Sequence, residues 1–168
     1  MSNKTAQEQF LEDFTSYIGD DLLETRTDYK YPHLLIRKDR IHETCKWLKH
    51  QQHFIYLVDV FGTDRFTSQD RFEVVYHMIC LRTQVRIFLK IRVEEENPTV
   101  PTVTNIWRSA NWNERETYDM FGIRFEGHPD MRRMYMPEDY KYFPLRKEFP
   151  LIGVPGSIDL PSTTPDHK

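Results

Sequence analysis

The residues of this chain that could do chemistry are concentrated between positions 113 and 149. Glu114, Glu116 and Asp119 fall within two turns of a predicted helix. Glu116 and Asp119 share one face of that helix because side chains three residues apart are neighbours on a helix. Paired carboxylates can transfer protons as general acid and base, or they can hold a hard cation. The sequence therefore contains the side chains of a possible acid–base site.

A histidine close by could supply a base or a metal ligand. His128 lies between Gly127 and Pro129, and a lone histidine in such a turn is more often a hydrogen-bonded turn residue. The remaining histidines and the two cysteines, Cys45 and Cys80, show no spacing typical of a zinc site. We therefore expect no metal on this chain and expect both cysteines to lie in the core.

Basic residues accompany the three carboxylates. Arg115 precedes Asp119 by four residues. Two basic pairs follow further on, Arg132 with Arg133 and Arg146 with Lys147. Ion-pair networks are a common use of such clusters, and forked arginine–carboxylate contacts would fix the path of the chain. We therefore favour a structural role, with the carboxylates paired to Arg132, Arg133 or Arg146.

Size and composition describe one soluble globular domain. The chain has 168 residues, enough for a single core, and a mean hydropathy of -0.68. A net charge of -3 gives no basic field for nucleic acid. Apolar runs such as Phe54–Val58 are far shorter than the ~20 residues that cross a bilayer, and the N-terminus has no signal-peptide pattern. We expect a cytoplasmic protein that reaches a membrane only through a partner.

No motif for a bound cofactor is present in the sequence. It contains no glycine-rich dinucleotide loop, no phosphate-binding loop and no nucleophile elbow. It also lacks a run of cysteines that could hold an iron–sulfur cluster. We therefore expect no cofactor on this chain.

Capping and periodicity predict two helices in the first third of the chain. Thr5 and Glu8 form a capping box, and apolar residues at helical spacing extend the first helix over Ala6–Ile18. Asp39 is the predicted N-cap of the second helix. The predicted inner face of that helix is formed by Ile41, Thr44, Cys45 and Leu48.

The strands are expected to form a mixed, largely antiparallel sheet with helices packed on it, which is an α+β fold. Two short extended segments are predicted at 22–26 and 33–37. The segment 54–61 is apolar at nearly every position, which predicts a central strand covered on both faces. Segments 72–81 and 85–93 predict a hairpin, and the second arm alternates apolar with polar residues.

The C-terminal part of the chain is expected to begin with a third helix and continue as an arm. Asn111 or Asn113 could cap that helix, which ends at Gly122. Seven of the ten prolines follow residue 128, too many for a helix or an internal strand. We therefore divide the chain into a body, residues 1–128, and an extended proline-rich C-terminal arm, residues 129–168.

The most specific sequence pattern lies in this C-terminal part. It consists of Glu114-Arg-Glu-Thr-Tyr-Asp-Met-Phe-Gly122, Phe125-Glu-Gly-His-Pro129, Arg132-Arg133, Pro137-Glu-Asp139 and Pro144-Leu-Arg-Lys147. Together these motifs closely resemble the signature of the C subunit (30 kDa subunit) of NADH:quinone oxidoreductase, which lies in the peripheral arm of respiratory complex I. Segments 71–77 and 98–104, with Trp107, are also similar to that family. The resemblance covers roughly residues 59–160.

The resemblance implies a non-catalytic α+β subunit that supports electron transfer from NADH to quinone in a proton-pumping complex. It implies FMN and iron–sulfur clusters on other subunits, docking on the quinone-binding D subunit and near the B subunit, and a peripheral position on the cytoplasmic side of the inner membrane. It marks as interface or structural positions Glu114, Arg115, Glu116, Asp119, Gly122, Gly127, His128, Pro129, Arg132, Arg133, Pro144, Arg146 and Lys147.

Two departures and two alternatives accompany this interpretation. The family usually has tryptophan at the position of Tyr140 and glycine at that of Tyr142, which leaves the conformation of the turn before Pro144 undecided.

One alternative function is a stand-alone enzyme, which requires the two glutamates of the acidic cluster and His128 to converge on one open cleft. The other is a nucleic-acid-binding module, which requires a basic face. The resemblance leaves open whether NADH or ferredoxin donates the electrons.

Overall fold

The computed structural model describes residues 5–67, 69–154 and 156 of the chain. Within them an α+β fold is built around a five-stranded sheet, as predicted. The elements in chain order are α1 (Ala6–Ile18), β1 (Leu22–Arg26), β2 (His33–Ile36), α2 (Ile41–His50), β3 (Tyr56–Asp64), β4 (Phe72–Cys80), β5 (Val85–Val93), β6 (Thr99–Pro101), α3 (Ala110–Phe121) and β7 (Arg124–Glu126).

The main sheet has the strand order β1-β2-β5-β4-β3. Its pairs are antiparallel except β2 with β5, so the expectation of a mixed, largely antiparallel sheet is confirmed. The predicted hairpin is β4 with β5. In β5 the residues from Val85 to Val93 alternate between buried and half-buried, as their period of two predicted. A small parallel pair, β6 with β7, lies outside this sheet.

The core joins one face of the sheet to the first two helices and to apolar residues between positions 100 and 125. The capping box of α1 forms, because Thr5 and Glu8 exchange side-chain-to-backbone hydrogen bonds. Helix α2 buries the four residues predicted for its inner face, Ile41, Thr44, Cys45 and Leu48. These helices share one cluster with alternate residues of β4 and β5, which places the apolar stripe of each helix against the sheet.

The prediction that segment 54–61 is a central strand is wrong. Strand β3 forms an edge of the sheet and pairs with β4 alone in the described part of the chain. Tyr56, Val58 and Phe61 on this strand remain exposed. The apolar run therefore combines an inner face that enters the core with an outer row that no described segment buries.

The predicted caps of the second and third helices are also wrong. Asp39 lies inside a short 3-10 turn, and α2 begins after Arg40 without a side-chain cap. Helix α3 begins after Ser109 instead of after Asn111 or Asn113. The side chain of Asn113 donates instead to the Asp59 carboxylate, so a tertiary contact takes the place of the predicted cap.

The end of α3 agrees with the sequence. Gly122 follows its last residue with a φ of 78°, and its N–H donates to the Tyr118 carbonyl at 2.8 Å. A left-handed residue at this position favours glycine. Beyond β7, residues 127–154 form turns and irregular segments, with no helix or strand. The boundary between body and arm at 128/129 stays a prediction.

Candidate functional site

The carboxylate of Asp119 is the centre of the contacts between α3 and the arm. It is fully buried, and Arg133 donates to its Oδ1 at 2.7 Å. Its Oδ2 accepts the backbone N–H groups of Met134, Tyr135 and Met136 at 3.0, 2.6 and 3.0 Å. Burial alone would favour the neutral acid, but these hydrogen bonds lower the pKa of Asp119. A charged carboxylate thus fixes one turn of the arm.

Arg133 also contacts the arm at several points. Besides pairing with Asp119, its guanidinium donates to the carbonyl of Tyr142 at 3.2 Å. Its central carbon lies 5.0 Å from the ring of Phe143 and 5.8 Å from that of Tyr140. Stacked aromatic rings and carbonyl acceptors suit the planar guanidinium, so the predicted pairing of an α3 acid with an arm arginine is confirmed here.

Arg115, one turn earlier on α3, also binds the backbone of the arm, as a hydrogen-bond donor where Asp119 is an acceptor. It is buried, and its guanidinium donates to the backbone carbonyls of Arg132 at 3.1 Å and Arg133 at 3.2 Å. It also lies over the ring of Trp112, 4.9 Å from the ring centroid. Positions 115 and 119 share a helix face, so a cation and an anion on α3 bind consecutive peptide groups of the arm.

A second buried ion pair lies at the end of β3, and sequence reasoning missed it. Arg71 donates to both carboxylate oxygens of Asp64, at 3.0 and 2.7 Å. The side chain of Asp64 is fully buried and that of Arg71 is 7% exposed. Burial opposes ionisation, yet the hydrogen bonds from Arg71 and from two backbone N–H groups lower the pKa of Asp64 to about 2. The signal in the sequence was Asp64, a charged residue at the end of an apolar strand.

This second pair also holds the arm. The backbone N–H of Lys147 donates to Asp64 at 2.8 Å, and Glu148 pairs with Arg71. Arg146, between these contacts, donates to the carbonyl of Phe121 at 2.7 Å. The side chain of Lys147 itself is exposed. Lys147 therefore binds Asp64 through its backbone N–H, whereas the sequence predicted that its basic side chain would pair with a carboxylate.

The position that follows α3, Gly122, has no room for a side chain. A Cβ atom there would lie 2.7 Å from the Arg146 guanidinium and 2.7 Å from the Phe143 ring. The arm passes directly over the helix terminus, and Arg146 lies 4.6 Å from the centroid of that same ring. Backbone conformation and close approach thus both require glycine at this position.

Glu114 has no arginine partner among the described residues, so its predicted ion pair is wrong. Its carboxylate accepts hydrogen bonds from the hydroxyl of Thr102 at 2.5 Å and the N–H of Val103 at 2.8 Å. It is fully buried, and burial raises its pKa to about 7 although both hydrogen bonds act in the opposite direction. Glu114 ties the start of α3 to the segment after β6.

Glu114, Glu116 and His128 do not meet in one cleft. Glu116 is two residues from Glu114, which places it on a different side of α3, and it is exposed beside β3. His128 accepts the Asp130 N–H on Nδ1 at 3.0 Å, and its Nε2 donates to the Asn111 carbonyl at 3.1 Å. This neutral tautomer satisfies both ring nitrogens, and burial lowers the pKa of His128. It is a hydrogen-bonded turn residue.

The remaining predicted positions lie around this junction. Arg132 is exposed and pairs with Asp130 inside the arm, at 2.7 Å, instead of with a carboxylate of α3. Gly127 adopts a φ of 79°, with Thr102 3.4 Å from where its Cβ would be. Pro129 lines a shallow surface depression. Pro144 is half-buried before the Leu145–Arg146 contacts.

The two departures from the family pattern are accommodated. Tyr140 is buried, and its ring contacts that of Tyr142 edge-on at 5.5 Å. Tyr142 has an ordinary negative φ, since the described non-glycine residues with positive φ lie elsewhere. The turn before Pro144 therefore needs no glycine.

Among the described residues no three histidine, cysteine or acidic side chains are grouped to hold a metal. No helix in the same part of the chain has the length and apolarity to span a membrane.

Comparisons with known proteins identify relatives of this chain. The family model of the respiratory-chain NADH dehydrogenase, 30 Kd subunit, matches residues 34–155. The chain is 47% identical over 136 residues to the C 2 subunit of NADH-quinone oxidoreductase from Rhizobium meliloti, covering 76% of this chain and 74% of the relative. It is 46% identical over 118 residues to the C subunit of NADH-quinone oxidoreductase from a Roseiflexus species, covering 69% and 68%.

Two solved structures have folds similar to that of this chain. A trypsin-resistant fragment (1-134) of Nqo5 superposes with a TM-score of 0.63 at 36% identity, covering 73% of this chain and 97% of the fragment. A chain from the membrane-bound sulfane sulfur reductase, an archaeal respiratory membrane complex, superposes with a TM-score of 0.73 over 86% of each chain. At 22% identity that second match shows a shared fold alone. The chain belongs to the family of the 30 kDa subunit of respiratory-chain NADH dehydrogenase, and the two relatives above are C subunits of NADH-quinone oxidoreductase.

Proposed function

We propose that this chain acts as a non-catalytic subunit in the peripheral arm of a proton-pumping NADH:quinone oxidoreductase. In this role it supports electron transfer from NADH to quinone without carrying a redox group. FMN and iron–sulfur clusters belong to other subunits of the complex. The chain docks on the quinone-binding D subunit and near the B subunit, on the cytoplasmic side of the inner membrane.

The junction of α3 with the arm is the observation that carries this proposal. Its charged side chains bind the chain's own backbone: Asp119 and Asp64 accept peptide N–H groups, and Arg115 donates to peptide carbonyls. Such contacts hold an irregular segment in one shape. A catalytic site instead aims its acids, bases and donors at a substrate-sized space.

The surface around this junction suits contact with another polypeptide. Trp112, Tyr135 and Leu145 are exposed on it, and Arg115 lies over the ring of Trp112. Aromatic residues and arginine are enriched where proteins bind each other. An ordered arm with exposed apolar side chains is therefore the docking face in this proposal.

Affinity purification of the tagged chain tests the proposal. From membranes in mild detergent, we expect it to bring down the D and B subunits, with contacts that chemical cross-linking maps to residues 112–149. The isolated chain should bind neither iron nor flavin. Stoichiometric iron or flavin on the isolated chain, or purification from membranes without D and B, would overturn it.

A further inference from the structure

A narrow groove runs between the edge strand β3 and helix α3. The two elements are joined by hydroxyl groups: Thr117 donates to the Val60 carbonyl at 3.2 Å, and Ser109 to the Leu57 carbonyl at 3.4 Å. Between them remains a cavity of about 130 Å³. Its walls include Phe61 from the strand and residues of α3. Two tertiary hydrogen bonds therefore join the walls of this groove.

The groove has an apolar floor and an exposed apolar rim. Val60 and Phe121 close its base, and both are buried. At the rim, Phe61 is 36% exposed and Leu145 is 54% exposed. Leu145 is held there because its backbone N–H donates to the Met120 carbonyl at 3.1 Å. The arm thus holds the apolar side chain of Leu145 at the rim, where about half of it remains exposed to solvent.

The size of the groove fits one side chain. Sites for small-molecule ligands usually enclose about 300–1,000 Å³. A cavity of about 150 Å³ lined by apolar residues holds a single benzene ring. With about 130 Å³, this groove can take one leucine, methionine or phenylalanine side chain from another polypeptide.

The charges at the groove are all negative. Asp59 and Glu116 line it, and no basic residue does so in the described part of the chain. Asn113 already donates to Asp59, whereas Glu116 has no ion pair with any described residue. An unpaired carboxylate beside an apolar recess attracts a cation that accompanies an apolar side chain.

We propose that this groove receives an apolar side chain, with a lysine or arginine adjacent to it in sequence, from another subunit of the respiratory assembly. The inference rests on the proposed function and specifies one contact within it. A second copy of this chain fits less well, because a two-fold interface over this patch would set Glu116 and Asp59 against their own copies. Like charges that face each other across an interface oppose binding.

Photo-cross-linking in the intact complex tests which polypeptide fills the groove. A benzophenone amino acid replaces Phe61 or Leu145, and Leu81 on the β4–β5 turn serves as an exposed apolar control. We expect both groove positions to cross-link to one other subunit, at an apolar residue next to a lysine or arginine. Cross-links to a second copy, to this chain's own C-terminus, or at no more than the control yield would overturn the proposal.

Charge variants provide an independent measurement. Glu116→Lys should lower the fraction of chain recovered in the complex by about tenfold at low salt, and Glu116→Gln by less. Glu96→Lys changes an exposed acid in another loop and should leave recovery unchanged. Thermal melting of the isolated variants checks that they fold. If Glu116→Lys assembles as well as the unaltered chain, the groove contact is refuted while the proposed function stands. If the unaltered chain itself fails to assemble, the proposed function is refuted.

Discussion

The backbone N–H of Lys147 donates a hydrogen bond to the carboxylate of Asp64 at 2.8 Å, across 83 residues of sequence. This contact joins the arm to the edge strand of the sheet. Asp64 is already paired with a buried arginine, so the arm closes over an existing ion pair. The order of the arm and the stability of the sheet edge are therefore coupled.

Removing the charge of Asp64 should destabilise the whole chain. Asp64→Asn leaves Arg71 buried, with half-exposed Glu95 and Glu148 as its remaining carboxylates. Breaking one partner of a buried pair typically costs ~3–5 kcal/mol, and the remaining partners place this case near the lower end. Urea unfolding would measure the change. Asp130→Asn, which removes an exposed pair with Arg132, is the matched control and should have no measurable effect.

The pKa of Asp64 also fixes the sign of the acid response. Since the pKa of the folded protein is about 2, below the ordinary 3.8, its stabilisation is present above 3.8 and is lost as the pH falls through about 2. The Asp64→Asn variant should therefore show a flatter stability curve between these values. Curves that remain parallel throughout this range would show that the carboxylate is not preferentially ionised in the folded state.

The ionisation of Glu114 should change stability with pH in the opposite sense to that of Asp64. The pKa of Glu114 is raised from 4.5 to about 7, so the folded chain keeps a proton that the unfolded chain has released. Stability from this group is full below 4.5 and declines as the pH rises through about 7, by up to roughly 3 kcal/mol. Glu114→Gln preserves the shape and the acceptor for Val103, and it should remove this decline. His128 titrates equally in both proteins, so the difference between their curves isolates Glu114.

Gly122→Ala should destabilise the contact between α3 and the arm. The new Cβ adds strain at a φ of 78° and meets Arg146 and Phe143 at 2.7 Å. Gly153→Ala is the control, because its φ is 79° and nothing lies within 4 Å of the added atom. Strain at a left-handed residue costs about 1 kcal/mol in both, so any larger loss in Gly122→Ala measures the collision. Equal losses in thermal unfolding would contradict the close approach of the arm.

Arg146→Ala should cost less than a buried ion pair would predict. Had Arg146 faced a buried carboxylate, the loss would be ~3–5 kcal/mol. In the structure it donates to the Phe121 carbonyl and lies between the rings of Phe72 and Phe143, with Glu148 4.0 Å away. We expect a loss of about 2 kcal/mol in urea unfolding, the size typical of a hydrogen bond to a charged group. Arg146→Lys should recover only part of it, because an ammonium group can still donate to the carbonyl but lacks the planar guanidinium that stacks on both rings.

Local patterns predicted most of the secondary structure correctly. The capping box of α1, the alternation of β5 and the end of α3 at Gly122 each depend on neighbouring residues in the sequence, and each is found as expected. Caps that compete with tertiary contacts were predicted wrongly. Asn113 was a plausible cap by type, but Asp59 on β3 takes its side chain.

The sequence by itself determined the fold class, the three helices, the five strands of the main sheet and the family, because periodicity, capping and a long motif are read within short windows. The short strands β6 and β7 were not predicted. The tertiary structure decided which charged groups meet. Asp64 and Lys147 lie 83 residues apart, and no local pattern specifies such a pair. It also decided that β3 is an edge strand and that Glu114 is buried without a cation. Burial and strand order result from the packing of the whole chain, so they emerge only when all elements are in place.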